Sequence, residues 1–270
     1  MEHTHNTHIR AKKSLGQNFL KSKSALNAMI SGGSVTKKDT ILEIGPGKGA
    51  LTSVLLETGA TIVAVEKDET LVTYLQELFS NHIKTKQLRL SSNDILHTTP
   101  KKLRLPKKYK VIANIPYYIT GEIIRFFLTQ KDKPETMVLL VQKEVAERIV
   151  CRDGKESILS LSVKVYGTPK YIQTVSKKYF SPSPKVDSAI IAINSISHTS
   201  FKSATEEEVF FTTIKNGFKS KRKKVISNLV PLYKKEALEQ FFKEKHLDTN
   251  TRAESVPLET WLELIQIYPK

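Results

Sequence analysis

Cysteine is nearly absent: Cys151 is the only one in 270 residues. A single thiol excludes an intrachain disulfide and a zinc site built on a thiolate cluster. Histidine offers no substitute. His3, His5 and His8 fall in a polar opening segment expected to be disordered, and the other four are scattered. No structural metal is therefore expected. Long hydrophobic runs are missing too, and no apolar segment approaches bilayer-spanning length. The opening stretch "MEHTHNTHIRAKKS" lacks the apolar core of a secretory signal. These absences lead us to expect a cytoplasmic protein with no membrane partner.

Acid is scarce relative to base. The net charge is +16 and the pI is near 9.7. An excess of this size favours a polyanionic partner, most often nucleic acid, although a lysine-rich solvated surface would give the same total. Residues 1–198 carry 30 Lys and Arg against 17 Asp and Glu, and residues 199–270 carry 13 against 10. The excess thus lies mainly in the first part. Local runs occur at "AKKS", at "KKLRLPKKYK" (101–110) and at "KNGFKSKRKK" (215–224).

What is present is the pattern of an α/β protein. Short β-branched runs at 40–44, 61–65, 87–91, 109–113 and 136–141 alternate with helical periodicity at 50–58, 68–80 and 120–130. In 68–80, Leu71, Val72, Leu75, Leu78 and Phe79 recur at three- and four-residue steps and predict one buried stripe. Residues 143–166 read as helix broken at "CRDGKES". Two more strands are expected at 171–176 and 186–193, on either side of "FSPSPK". The polar stretch "NSISHTSFKSAT" (194–205) reads as a linker. Beyond it, Phe211, Ile214, Phe218, Val225 and Leu229 fit one face of a long helix. Two domains are expected: an α/β domain over 1–199 and an all-helical domain over 200–270.

The first strand runs into "LEIGPGKGALT" (42–52), with Gly45, Gly47 and Gly49 spaced G-x-G-x-G rather than G-x-G-x-x-G. Glycine lets the backbone turn sharply and lets a ligand approach closely. Glu66 ends the second strand, 21 residues after Gly45, where a carboxylate can accept both ribose hydroxyls. Asp94 follows the third strand and is placed to read an adenine amino group. Together these elements describe a nucleoside site. The spacing favours S-adenosylmethionine over NAD, because that ligand has no pyrophosphate to seat on the helix.

The stretch "NIPYYIT" (114–120) follows the fourth strand and so faces the same crevice. Read alone, it is a proline turn packed by tyrosines. Beside a methyl donor it reads as a base pocket. An exocyclic adenine amine is a poor nucleophile, because its lone pair is delocalised into the ring. The Asn114 amide oxygen and the Ile115 carbonyl can accept its two N–H groups and favour a more tetrahedral nitrogen. Pro116 fixes the backbone direction, and Tyr117 offers a face for stacking. No strong general base is required, since the methylated ammonium loses its proton to water. Tyr118 is assigned to packing.

These blocks resemble those of the ribosomal RNA adenine-N6 dimethyltransferases, most closely the small-subunit type. The likeness also takes in "KKSLGQNFL" (12–20), "NDIL" (93–96), "QKEVAERI" (142–149), "FSPSPKVDSA" (180–189) and "FKSKRKKVISNL" (218–229), and so nearly the whole chain. The resemblance implies a Rossmann-like S-adenosylmethionine-dependent methyltransferase fold with a small helical C-terminal domain. It implies donor contacts at Asn18 and Leu20, in addition to Gly45, Gly47, Glu66, Asp94 and Asn114. It places Tyr117 and Phe180 around the target adenine, where "FSPSP" would be a stiff aromatic loop closing the far side. The expected partner is small-subunit rRNA within a pre-ribosomal particle, with the protein acting as a monomer and without a metal.

The chain departs from the family pattern at "ESILSLS" (156–162) and at "SKRKK", where an arginine pair is usual. Other readings stay open on sequence alone: a large-subunit methyltransferase conferring drug resistance, a non-catalytic assembly factor on the same fold, and a DNA adenine methyltransferase. An intact "NIPY" with Glu66 and Asp94 weighs against the assembly factor, and the lack of a target-recognition domain weighs against the DNA enzyme.

Overall fold

The mostly apolar runs at 41–44, 62–65, 111–113 and 137–141 form strands buried on both faces, as a parallel sheet covered by helices requires. The computed structural model describes residues 11–12, 15–197 and 199–269. His3, His5, His8 and His198 and part of the "AKKS" run lie outside them. Among the described residues the strands are β1 (Phe19–Leu20), β2 (Thr40–Ile44), β3 (Thr61–Glu66), β4 (Leu88–Ser92), β5 (Lys110–Asn114), β6 (Thr136–Gln142), β7 (Thr168–Val175), β8 (Phe180–Ser181) and β9 (Ser188–Asn194). Seven of them form one sheet in the order β4-β3-β2-β5-β6-β9-β7, and β1 pairs with β8 in a separate antiparallel ribbon. From β4 to β6 the pairs are parallel, and β9 runs antiparallel to β6.

Chain contacts divide the protein into two units, 1–143 with 170–194, and 144–169 with 195–270. The expected division at 199/200 differs from this one, because residues 144–169 cluster with the C-terminal helices. The first unit holds the sheet and helices α1 (Lys23–Gly32), α2 (Ala50–Glu57), α3 (Glu69–Leu78), α4 (Ser80–Lys84) and α5 (Thr120–Thr129). Ser22 caps α1 and Asp68 caps α3, each accepting a hydrogen bond from a first-turn N–H. The core is Ile41, Leu55, Ile62, Leu75, Ile112, Val138 and Ile190 with their neighbours. Each such side chain contributes about 1.5–3 kcal/mol on burial. Leu71, Val72, Leu75 and Phe79 of the expected stripe are buried, but Leu78 is exposed, so it lies off that face.

The second unit is helical: α6 (Lys143–Ile149), α7 (Ile158–Lys164), α8 (Ala204–Gly217), α9 (Val225–Leu229), α10 (Lys235–Glu244) and α11 (Leu258–Leu264). Trp261 is fully buried at its centre, donating from Nε1 to the Val256 carbonyl and stacking on Phe218. The long helix expected through 211–229 is in fact two, α8 and α9, joined by a turn that carries the basic run. Asn228 Nδ2 reaches back to the Gly217 and Ser220 carbonyls at 2.6 and 3.1 Å, which satisfies the end of α8 and lets the chain turn. A Cβ on Gly217 would lie 2.3 Å from the Trp261 ring, so only glycine permits this approach. Phe210, rather than Phe211, is the fully buried aromatic of α8.

Candidate active site

The chain winds from β2 through β3 to β4 on one side of the sheet, then returns to place β5 and β6 on the other. The strand order therefore reverses between β2 and β5, and the crevice outside their carboxyl ends is where such sheets bind ligands. A cavity of about 500 Å³ opens there. Asn18, Leu20, Gly45, Gly47, Glu66, Asp94, Asn114, Ile115, Pro116 and Tyr117 all line it, so the structure brings together residues spread over a hundred positions. Phe180 does not line it. Its ring is buried in the core beside Leu20, and the neighbouring Ser181 faces the cavity instead.

Gly45 and Gly47 both adopt positive φ, at 63° and 59°. Gly45 N–H donates to the Val65 carbonyl, fixing the turn against β3, and a Cβ on Gly47 would meet the Phe19 ring at 3.0 Å. That turn delivers the Gly47 N–H to Glu66 Oε2 at 3.2 Å, while Glu66 Oε1 accepts from the N–H groups of Lys67 and Asp68, each at 2.9 Å. Burial pushes the Glu66 carboxyl above the usual carboxylate range, and these three N–H groups pull it back part of the way. The carboxylate is thereby fixed in orientation with acceptor capacity to spare for vicinal hydroxyls.

Glu43 is the residue that the sequence reading passed over. It is fully buried in β2 and lines the cavity, with Oε2 accepting from Thr52 Oγ1 at 2.7 Å and Oε1 unpartnered. Burial, opposed by the Thr52 bond and reinforced by the Glu66 charge, pushes its pKa up to about 8. A signal was available: a charged residue within a strand of otherwise aliphatic residues is rarely buried without a purpose.

The segment 15–21 forms one wall of the cavity and is tied down from several sides. Lys12 Nζ and Gln17 Nε2 bond the two oxygens of Asp68 at 2.7 and 3.1 Å. Asp68 is partly desolvated, yet these bonds hold its carboxyl below the usual range. Leu20 pairs with Phe180 and Phe19 with Ser181, and Lys21 N–H donates to the Tyr179 carbonyl at 2.8 Å. Asn114 Nδ2 donates to the Asn18 carbonyl at 3.1 Å. With its nitrogen so engaged, the Asn114 side chain keeps Oδ1 as an acceptor at the cavity.

Asp94 caps a short helix by accepting from Leu96 N–H, and its other oxygen holds Lys67 Nζ at 2.8 Å. Partial burial is outweighed by these partners, and the carboxyl lies below its usual range. Pro116 starts a helical turn over Tyr117–Ile119. The Tyr117 hydroxyl lies 2.5 Å from Ser188 Oγ. Tyr118, expected to pack, is instead 63% exposed and lines the cavity mouth, with its ring edge above Gly16. Among the described residues no group of His, Cys, Asp or Glu is placed to hold a metal ion, and no helix is long and apolar enough to cross a membrane.

The cavity suits the donor expected from the sequence. Its volume fits a ligand of that size, the glycine turn leaves room for backbone approach, and Glu66 is held in one orientation at its edge. The unpartnered Glu43 Oε1 adds a further polar atom beside the cavity.

A seven-stranded sheet in which β9 runs antiparallel to β6, with the glycine turn, Glu66 and Asn-Ile-Pro-Tyr lining one crevice, defines a Rossmann-like methyltransferase fold. Solved structures agree on the fold. The 23S rRNA methyltransferase ErmE superposes with a TM-score of 0.78 at 23% identity, covering 93% of this chain and 99% of that one. A dimethyladenosine transferase from Plasmodium falciparum gives 0.74 at 22% identity with the same coverage. Residues 8–270 match the family model for ribosomal RNA adenine dimethylase, and the chain belongs to that family. Among curated relatives, the ribosomal RNA small subunit methyltransferase A of Fusobacterium nucleatum is 39% identical over 263 residues, spanning 96% of this chain and 98% of its own. Its namesake in Clostridium botulinum is 34% identical over 259 residues, spanning 93% and 91%.

Proposed function

We propose that this chain transfers methyl groups from S-adenosylmethionine to the N6 amines of two adjacent adenines, two per base. The substrate is a 3′-terminal hairpin of small-subunit rRNA within a partly assembled particle. The observation that carries this reading is the anchored amide of Asn114, whose oxygen is left to accept at the cavity that Gly45, Glu66 and Asp94 also line. The curated relatives that span nearly the whole chain are named as small-subunit enzymes, which favours that rRNA over the large-subunit one. The protein acts as a cytoplasmic monomer in small-subunit biogenesis.

The donor, when bound, supplies an electrophilic methyl on a sulfonium. Asn18, Leu20, Gly45 and Gly47 hold its length, Glu66 accepts its ribose hydroxyls and Asp94 accepts from its adenine. Lys67 already occupies one Asp94 oxygen, so it shares that oxygen or swings aside as the nucleoside enters. The target adenine stacks on Tyr117 with its amine held by Asn114 Oδ1 and the Ile115 carbonyl. Both acceptors draw electron density toward the amine hydrogens and aim the nitrogen lone pair at the methyl. Pro116 sets the direction of that carbonyl. The proton of the methylated ammonium leaves to water, and the site needs no dedicated base. Phe180 meets the opposite face of the base once the ribbon of β1 and β8 shifts to release its ring.

The test is to incubate the full chain with small subunits that lack the modification and with labelled donor, then map the label. Dimethylation of two neighbouring adenines supports the reading. Label confined to large subunits contradicts it.

A further inference from the structure

The motif "FSPSPKVDSA" enters the proposed chemistry only through Phe180, yet its later residues are held by side-chain hydrogen bonds of their own. Asp187 Oδ1 accepts from Lys177 N–H at 2.9 Å, and the Asp187 carbonyl accepts from Lys143 N–H at 3.0 Å. These bonds close the loop 177–187 at its base. The next residue, Ser188, opens β9 opposite Gln142 and is fully buried. Its hydroxyl is the one that meets Tyr117 Oη at 2.5 Å.

A tyrosine attached only through its Cβ can turn about two side-chain torsions. Tyr117 is held at both ends, by the short helix that follows Pro116 and by Ser188 at the far tip of the ring. A stacking surface is useful only while its plane is fixed, because a small misplacement of the base moves its amine off the methyl. We propose that Ser188 is a positioning residue for the target base. Through the Tyr117 hydroxyl it fixes the plane on which a purine stacks, and Asp187 ties the loop carrying Phe180 to the same point. This rests on the proposed function, in that Tyr117 is taken to stack on adenine.

The experiment combines kinetics with a measurement that needs no activity. Ser188→Ala, Ser188→Thr, Tyr117→Phe and the double variant Ser188→Ala/Tyr117→Phe are made in the full chain. Each is assayed on unmethylated small subunits, and donor affinity is measured by calorimetry. Loss of one partly buried hydrogen bond is expected to lower kcat about tenfold in Ser188→Ala. Donor affinity should stay unchanged, and Ser188→Thr should restore most of the rate. Tyr117→Phe removes the same bond from the other side without touching β9, so the double variant should be no slower than either single one. Losses that multiply would show that Ser188 acts by another route and overturn the proposal.

In parallel, tyrosine rings are labelled with carbon-13, and the Tyr117 resonance is identified by its absence in Tyr117→Phe. That resonance should move in Ser188→Ala and return in Ser188→Thr. An unmoved resonance overturns the positioning role whether or not the wild-type chain methylates adenine, while a failure of the wild type to methylate falls on the proposed function alone.

Discussion

The Asn114 side chain is held by a residue almost a hundred positions away: its Nδ2 donates to the backbone carbonyl of Asn18 at 3.1 Å. The bond joins the Asn-Ile-Pro-Tyr segment to the segment 15–21 that forms one wall of the cavity. It also leaves the amide with one defined role at the cavity, that of acceptor.

Asn114→Ala should therefore abolish methyl transfer, with a fall in kcat of about a hundredfold or more, as for other preorganised acceptors and donors. Binding to small subunits should be nearly unchanged, because the side chain carries no charge to neutralise a phosphate. Filter binding beside a single-turnover assay separates the two effects, and a fully active variant would remove Asn114 from the chemistry.

Glu66 sits among three backbone N–H groups that all require an acceptor. Glu66→Gln presents an amide nitrogen to one of them and offers a weaker acceptor to ribose. Donor affinity should drop about tenfold or more. Calorimetric titration with S-adenosylhomocysteine measures this directly, and an unchanged Kd would exclude Glu66 from the ribose site.

Glu43 gives a dependence on pH. Its pKa rises from 4.5 to about 8 on folding, chiefly through burial. Between those values the folded chain keeps a proton that the unfolded chain has released, so stability falls as pH rises. The contribution is complete below about 4.5 and is lost as pH rises toward 8. Glu43→Gln cannot ionise and can keep the Thr52 bond. Its unfolding free energy relative to wild type should grow between pH 5 and pH 8, with an upper bound of about 5 kcal/mol. Denaturant titrations at several pH values test this, and a difference independent of pH would place the titration elsewhere.

The turn that carries Lys219, Lys221, Arg222, Lys223 and Lys224 concentrates positive charge between α8 and α9. Reversing those charges should weaken RNA binding and flatten its dependence on salt, since each phosphate contact adds to that slope. Affinity measured from about 50 to 200 mM salt provides the check. An unchanged slope would take this turn out of the RNA footprint.

Much of this was legible in the sequence, for identifiable reasons. Strands such as 40–44 and 136–142 are mostly apolar and bounded by turn residues, so their position is set locally. Gly45, Glu66, Asp94 and Asn114 each close or follow a strand of one parallel sheet, and strand order alone brings them to a shared edge. What was hidden depends on partners distant in the chain. The Asn228 amide that ends α8 has no sequence signature, and a helical face through 218–229 looked continuous without it. The ribbon of β1 and β8, two residues in each strand, is too short for any periodicity. It buries Phe180, which the motif alone placed at the pocket. With stacking assigned to Tyr117, the sequence leaves only packing for Tyr118, but the helical turn projects it to the exposed edge of the cavity.

The most direct test of the central claim is to map methylation on ribosomal subunits purified from cells lacking this modification. Labelled donor and the full chain are added, and modified nucleotides are located in both rRNAs. We expect N6-dimethyladenosine at two adjacent positions in the 3′-terminal hairpin of the small-subunit rRNA, and its loss with Asn114→Ala. Label in large-subunit rRNA, or none in either subunit, would contradict it.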